Sequence, residues 1–167
     1  MEVMLYEERQ PFALWVYVLL VGAVAGAIVA FGLAASAEEG AARWLWLVGA
    51  AHLAVGAFVS NILLVTTRVS NAEVYVRLGW LFPVIWKRVP LGDILESRCV
   101  TYRPLRDAGG WGMRFGRFEG RSCRFYNARG HEGVLIETPK RRYILGSQTP
   151  ERLEAAIAQA RAAAQEP

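Results

Sequence analysis

The chain has few of the cysteine and histidine side chains that often carry out catalysis or bind metals. Its 167 residues include two cysteines, two histidines and 15 acidic residues. Their spacing forms no Cys/His metal-ligand motif, no paired acidic motif and no series of serine, histidine and acid. The sequence therefore predicts a protein that is not an enzyme and that holds neither a metal nor a cofactor.

The two cysteines are interpreted as structural residues. Cys99 and Cys123 fall in strand-like segments, and two cysteines are too few for a disulfide-rich scaffold. In the cytoplasm they would remain free thiols. We expect them inside adjacent strands, each as a small buried residue.

A loop rich in Arg, Gly and Trp forms the first candidate binding site. Its candidate ligand-binding residues are Arg103, Arg106, Trp111 and Arg114, around a glycine-rich stretch at 109–112. Guanidinium groups can hold phosphate or carboxylate through paired hydrogen bonds, and glycines allow backbone amides to face an anion. The glycine spacing is not that of a dinucleotide-binding motif. The second interpretation is structural: Asp107 and the arginines brace the loop, while Trp111 fills a gap or touches lipid.

A stretch of aromatic residues followed by two bases forms the second candidate site. Residues 79–86 read Gly-Trp-Leu-Phe-Pro-Val-Ile-Trp, and a Lys and an Arg follow. The candidate lipid-binding residues are Trp80, Phe82, Trp86, Lys87 and Arg88. Aromatic rings flanked by bases suit the lipid interface, where the rings are buried and the cations meet anionic headgroups. The alternative is that these aromatic residues pack in strands and core.

Two long apolar segments precede both candidate sites. Residues 12–37 contain no Asp, Glu, Lys, Arg or His, and residues 44–67 contain only His52. As helices they would be roughly 39 and 36 Å long at about 1.5 Å per residue, against a hydrocarbon core of about 30 Å. We therefore predict a transmembrane helical hairpin over residues 1–67. A cleaved signal peptide is the competing interpretation, but the leader is acidic and the apolar run exceeds the usual length.

Small residues recur every four positions in the first apolar segment. The helix-packing candidates are Gly22, Gly26, Ala30 and Ala34. Small residues let helix backbones approach closely within lipid. Two interpretations remain open, namely that the two spans pack on each other and that the protein associates with a second copy of itself.

The distribution of charge predicts an orientation in the membrane. Up to Thr67 there are two Arg against five Glu, whereas 17 Lys and Arg face 10 Asp and Glu from Arg68 onward. Because Arg68, Arg77 and Lys87 closely follow the second span, the positive-inside rule places both termini and the C-terminal domain in the cytoplasm. The expected location is the cell membrane (the inner or plasma membrane), which the chain crosses twice.

Residues 68–164 are predicted to form a small β domain that ends in a helix. About seven short strand-like runs are separated by Gly, Pro and Asn. Thr149 can cap a helix over residues 150–164, in which Leu153 and Ile157 belong to one apolar stripe. The expected fold class is α+β, with a transmembrane hairpin followed by the β domain.

Four segments of this β domain resemble a family of bacterial membrane proteins with a pleckstrin-homology-like domain. The resemblance is carried by residues 86–94, 102–114, 126–130 and 145–151. It covers about residues 65–160 and implies a seven-stranded antiparallel barrel capped by the C-terminal helix. The helical hairpin is also typical of that family. The family has no established reaction, so the resemblance implies a fold and a location only.

The sequence predicts a non-catalytic, membrane-anchored module that docks anionic lipid headgroups or a neighbouring membrane protein. The alternative is a structural subunit that oligomerises through its transmembrane helices and its barrel. The expected partners are the lipid bilayer, anionic lipid headgroups, and another membrane protein or a second copy of this chain. Nucleic acid is not expected, because a basic domain tethered at the bilayer meets lipid headgroups first.

Overall fold

A computed structural model describes residues 3–165, without the side chains of Trp15 and Gln165. The chain divides into two compact units. One unit, the helical unit, comprises residues 13–62, and the other, the β unit, comprises residues 3–12 together with 63–165.

The helical unit consists of two antiparallel apolar helices, α1 (Leu14–Ala34) and α2 (Glu39–Ile62). Both are long and apolar enough to cross a membrane. They differ from the predicted spans 12–37 and 44–67 mainly in that α2 begins and ends five residues earlier. Residues 64–67, a run of Leu, Val and two Thr that favours extended backbone, instead start a strand.

The first sheet, sheet A, has four strands in the order β1-β2-β3-β4, and all of its pairs are antiparallel. Its strands are β1 (Met4–Pro11), β2 (Leu64–Ser70), β3 (Glu73–Leu78) and β4 (Ile85–Pro90). The helical hairpin predicted over residues 1–67 includes residues 4–11, so β1 is a strand that the sequence did not predict. The hydropathy pattern did not reveal this strand, because the inward positions of β1 include Glu8 and Gln10 as well as apolar residues.

The second sheet, sheet B, has five strands in the order β5-β8-β9-β7-β6. Its strands are β5 (Glu96–Thr101), β6 (Gly112–Phe118), β7 (Arg121–Asn127), β8 (Glu132–Glu137) and β9 (Arg142–Gly146). The prediction of seven antiparallel strands is wrong, since residues 3–165 contain nine and β7 runs parallel to β9. The two strands that the sequence pattern did not predict are β1 and β6.

Because β5 and β6 lie at opposite edges of sheet B, the chain between them, residues 102–111, crosses the sheet; we call it the crossing segment. Gly116 of β6 allows it to pass closely, since a Cβ atom there would collide with the Asp107 carbonyl oxygen. Beneath it lie the buried Phe125, Leu135 and Ile144. Burial also raises the pKa of Tyr102 in this cluster to about 12.

The chain ends in helix α3 (Pro150–Gln165), which confirms the prediction of a C-terminal helix. Its apolar stripe is fully buried at Leu153, Ile157 and Ala160, and α3 packs against strands of both sheets. The confirmed fold class is α+β, with two apolar helices, two β-sheets and this helix.

Candidate functional site

One end of sheet A gathers three connections of the chain, and we call it the connection end. Here Pro11 pairs with Leu64, and the backbone N–H of Phe12 donates to the Leu63 carbonyl at 3.1 Å. Phe12 is the last residue of the β unit before the helical unit, and Leu63 is the first residue of the β unit after it. The loop between β3 and β4 leaves the sheet at the same end, because the N–H of Gly79 donates to the Leu64 carbonyl at 2.9 Å.

This loop, residues 79–84, exposes three large apolar side chains and is called the aromatic loop. Trp80, Leu81 and Phe82 are 52%, 68% and 49% exposed, so they do not belong to the core. The loop begins with a φ of 115° at Gly79, a backbone conformation that residues with a Cβ atom rarely adopt. The sequence therefore builds a turn that holds adjacent apolar side chains outside the sheet.

The bases after the aromatic loop face opposite sides of β4. Arg88 lies on the outer face of sheet A, 5.4 Å above the Tyr75 ring and 3.3 Å from a Glu73 carboxylate oxygen. Lys87 points the other way, with its Nζ 5.5 Å from the centre of the Tyr143 ring. Trp86 shares the outer face with Arg88 and is exposed. The five candidates of this segment thus do not form one site.

The crossing segment carries Arg103, Arg106 and Trp111, while Arg114 lies on β6, and this structure supports the bracing interpretation in part. The Asp107 carboxylate accepts a hydrogen bond at 2.8 Å from the backbone N–H of Arg103, which holds the turn. The three arginine side chains of the candidate set are exposed, namely Arg103, Arg106 and Arg114. Trp111 is partly buried, and the next residue, Gly112, lies against Phe12, since a Cβ atom there would be 3.9 Å from Phe12 Cζ. That contact brings the end of the crossing segment beside the connection end.

A groove on the outer face of sheet A was missed by sequence reasoning. Its volume is about 350 Å³, and we call it the arginine groove. It is lined by Met4, Arg68, Ser70, Glu73, Tyr75, Arg77 and Arg88. The alternation of Glu, Tyr and Arg with valines in β3 indicated an outward polar face. Only the register of β2, β3 and β4, however, places the three arginines around one space.

The carboxylates of Glu7 and Glu73 neutralise part of the positive charge around this groove. Glu7 accepts hydrogen bonds from Arg9 at 2.7 Å and from Arg68 at 3.1 Å. The hydrogen bond from Arg9, and then that from Arg68, holds the pKa of Glu7 below its ordinary value. Arg77 differs from these arginines, because none of the carboxylates in residues 3–165 lies within 4 Å of its guanidinium group.

Three of the four small residues of the α1 stripe are buried or closely approached within the described residues. A Cβ atom on Gly26 would lie 2.6 Å from His52 Cδ2 of α2, so this glycine permits the close approach of the two helices. Ala30 and Ala34 are buried, whereas a Cβ atom on Gly22 would meet no atom within 4 Å. His52 Nδ1 donates to the Val48 carbonyl at 2.8 Å, which satisfies one of its ring nitrogens.

The expected burial is confirmed for Cys123, but it is wrong for Cys99, and so is the expectation that the two strands are adjacent. Cys99 is exposed on β5 and Cys123 is buried on β7, and these strands are not neighbours in sheet B. Both are free thiols. Burial raises the pKa of Cys123 to about 11, while desolvation, followed by the nearby carboxylate of Glu151, raises the pKa of Cys99.

These environments predict unequal reactivity toward a thiol reagent such as iodoacetamide. At about pH 8 the Cys123 thiol stays protonated and covered, so only Cys99 should react in the folded protein. Mass spectrometry of the full chain should find one label before unfolding and two after it, and Cys99→Ser should abolish the first. Rapid labelling of Cys123 in the folded Cys99→Ser variant would contradict the burial of this strand.

Within residues 3–165, no group of three or more His, Cys, Asp or Glu side chains is arranged to hold a metal ion. Neither a known protein-family model nor a curated protein sequence matches the chain.

Proposed function

We propose that this protein is a non-catalytic, membrane-anchored binding module that docks the connection end of its β unit onto anionic lipid headgroups. The observation that carries the proposal is that the aromatic loop emerges at the same end of sheet A as both links to the apolar helices. Because α1 begins two residues after Phe12 and α2 ends one residue before Leu63, helices that cross a bilayer bring this end to its surface. Trp80, Leu81 and Phe82 then enter the interfacial layer.

The charge of the β unit supports both the location and the choice of lipid. An excess of Lys and Arg follows α2, which by the positive-inside rule places the β unit and both termini in the cytoplasm. The cytoplasmic leaflet is negatively charged and attracts basic surfaces that lie within a Debye length of about 8 Å. Arg103 and Arg106 are exposed on the crossing segment, whose end lies beside the connection end, and they would add to this attraction.

Two other hypotheses have less support. Assembly through the small-residue stripe is weakened because His52 of the same chain already covers Gly26. The resemblance to pleckstrin-homology-like proteins remains a hypothesis about ancestry and fold. An antiparallel meander, a second sheet and a C-terminal helix agree with it, whereas the parallel pair β7–β9 does not.

The proposal is tested by measuring the depth of the aromatic loop in the full chain. Leu81→Cys is spin-labelled in a Cys99→Ser background, in nanodiscs of phosphatidylcholine with added phosphatidic acid. We expect the label to collide more often with oxygen, which is concentrated in lipid, than with a water-soluble nickel complex. The matched control is Ala72→Cys, an exposed position in the turn at the opposite end of sheet A, and its label should show the reverse preference. A label at residue 81 with the same aqueous profile as that at residue 72 would refute the proposal.

A further inference from the structure

We propose that the arginine groove binds the phosphate group of an anionic phospholipid headgroup, an inference that rests on the proposed function. Three guanidinium groups reach the groove from three adjacent strands, Arg68 from β2, Arg77 from β3 and Arg88 from β4. A guanidinium group donates paired hydrogen bonds in a geometry that matches the oxygen atoms of phosphate. The hydroxyl group of Tyr75, which also lines the groove, adds one further donor.

The charge balance of the groove favours an anion. Its lining has three arginines and one carboxylate, that of Glu73. Glu73 lies 3.3 Å from Arg88, and Glu7, which is not among the lining residues, pairs with Arg68. Arg77 has no such carboxylate partner in the described part of the chain, so its charge is available to a ligand.

Two buried polar atoms belong to residues that are paired between β2 and β3, one of which lines the groove. The Nε atom of Arg77 and the Oγ1 atom of Thr66 are buried without a hydrogen-bond partner among the described residues. Thr66 is directly opposite Arg77 in the pairing of β2 with β3, and it is fully buried. Buried polar groups are nearly always satisfied in folded proteins, so unsatisfied ones beside an open groove point to a missing polar ligand or water.

The position of Arg77 favours a lipid as the source of the phosphate group. Arg77 precedes Gly79, the first residue of the aromatic loop, by two residues, which is roughly 7 Å at about 3.3 Å per residue of strand. The headgroup layer is about 5–7 Å thick on each side of the hydrocarbon core. With Trp80 and Phe82 in the interface and β3 running away from it, Arg77 would lie at the depth of lipid phosphates, which are far more concentrated there than phosphate in solution. Arg68 and Arg88, both opposite Tyr75, would lie two residues farther from the loop.

The test is the affinity of the full chain in detergent for dioleoylphosphatidic acid, measured by native mass spectrometry. Arg77→Gln should weaken this binding by about tenfold, because it removes charge-assisted hydrogen bonds to the phosphate group. Arg117→Gln removes the same charge from an exposed position on β6, outside the groove, and should leave the affinity unchanged. Arg88→Gln, at an exposed side chain that cannot disturb the core, should weaken binding about threefold and provides a second variant if Arg77→Gln does not fold.

Three results would overturn the inference. The first is that Arg77→Gln and Arg117→Gln weaken the affinity for phosphatidic acid equally. The second is that neither Arg77→Gln nor Arg88→Gln changes this affinity. The third is that the protein binds phosphatidylcholine as tightly as phosphatidic acid. Inorganic phosphate that binds as tightly as phosphatidic acid would overturn the assignment of the source to lipid. The spin-label measurement separates the two proposals, since a label at residue 81 in lipid together with unchanged binding by the groove variants overturns the groove alone.

Discussion

Replacing Glu8 by alanine should lower the free energy of unfolding by about 3 kcal/mol, because several buried donors lose one acceptor. The Glu8 carboxylate accepts hydrogen bonds from the hydroxyls of Ser147 and Tyr6, both at 2.6 Å. It also accepts from the Gln148 backbone N–H at 2.7 Å and from the Gln10 side-chain amide at 2.9 Å. This one carboxylate therefore fastens β1 to the segment between β9 and α3.

The prediction for Glu8 is checked by urea unfolding of the full chain in mild detergent, followed by the exchange of backbone amides in β1 and α3. The control is Glu96→Ala, which removes an exposed carboxylate 3.5 Å from Arg98 and should cost under about 1 kcal/mol. Protection of β1 should fall in Glu8→Ala and stay unchanged in Glu96→Ala. Equal stability of the two variants would show that the Glu8 network is not what holds β1 in place.

Replacing Arg142 by methionine should also cost about 3 kcal/mol, because it leaves partly buried acceptors without their cation. Arg142 is only 5% exposed. Its guanidinium lies 2.7 Å from Glu137 and 3.0 Å from Glu119, and it donates to the Phe118 carbonyl at 2.9 Å. The residue thereby joins the start of β9 to the turn between β6 and β7.

Arg98, which also pairs with the Glu119 carboxylate, provides the matched control. Arg98 donates to both oxygens of Glu119 at 2.7 and 2.6 Å, but it is 40% exposed. Solvent screens such a pair, so Arg98→Met should cost under about 1 kcal/mol despite its shorter distances. Urea unfolding of both variants tests this prediction. A larger loss of unfolding free energy for Arg98→Met than for Arg142→Met would mean that burial does not govern the strength of the ion pairs at Glu119.

The chain's local patterns were enough to predict most of its secondary structure. Uninterrupted apolar runs identified α1 and α2, short strand-like runs separated by Gly, Pro and Asn identified seven of the nine strands in the described residues, and an apolar stripe identified α3. These features depend on neighbours within a few residues, which is the range over which periodicity in the sequence is informative. The exposed aromatic loop was also marked by its composition.

Long-range pairing determined the rest. Strand β1 is held by pairing with β2, more than 50 residues away, and by hydrogen bonds to Glu8. Because its inward positions are partly polar, no apolar alternation in the sequence predicted this strand. Strand β6 depends on Gly116, whose role is visible only where the crossing segment passes over it. The same holds for the candidate site: register brings Arg68, Arg77 and Arg88 around one groove. The sequence by itself determined which segments are apolar, extended or helical. The contacts between distant strands decided which side chains meet, because a strand's partners are set by hydrogen bonds and packing that no local pattern records.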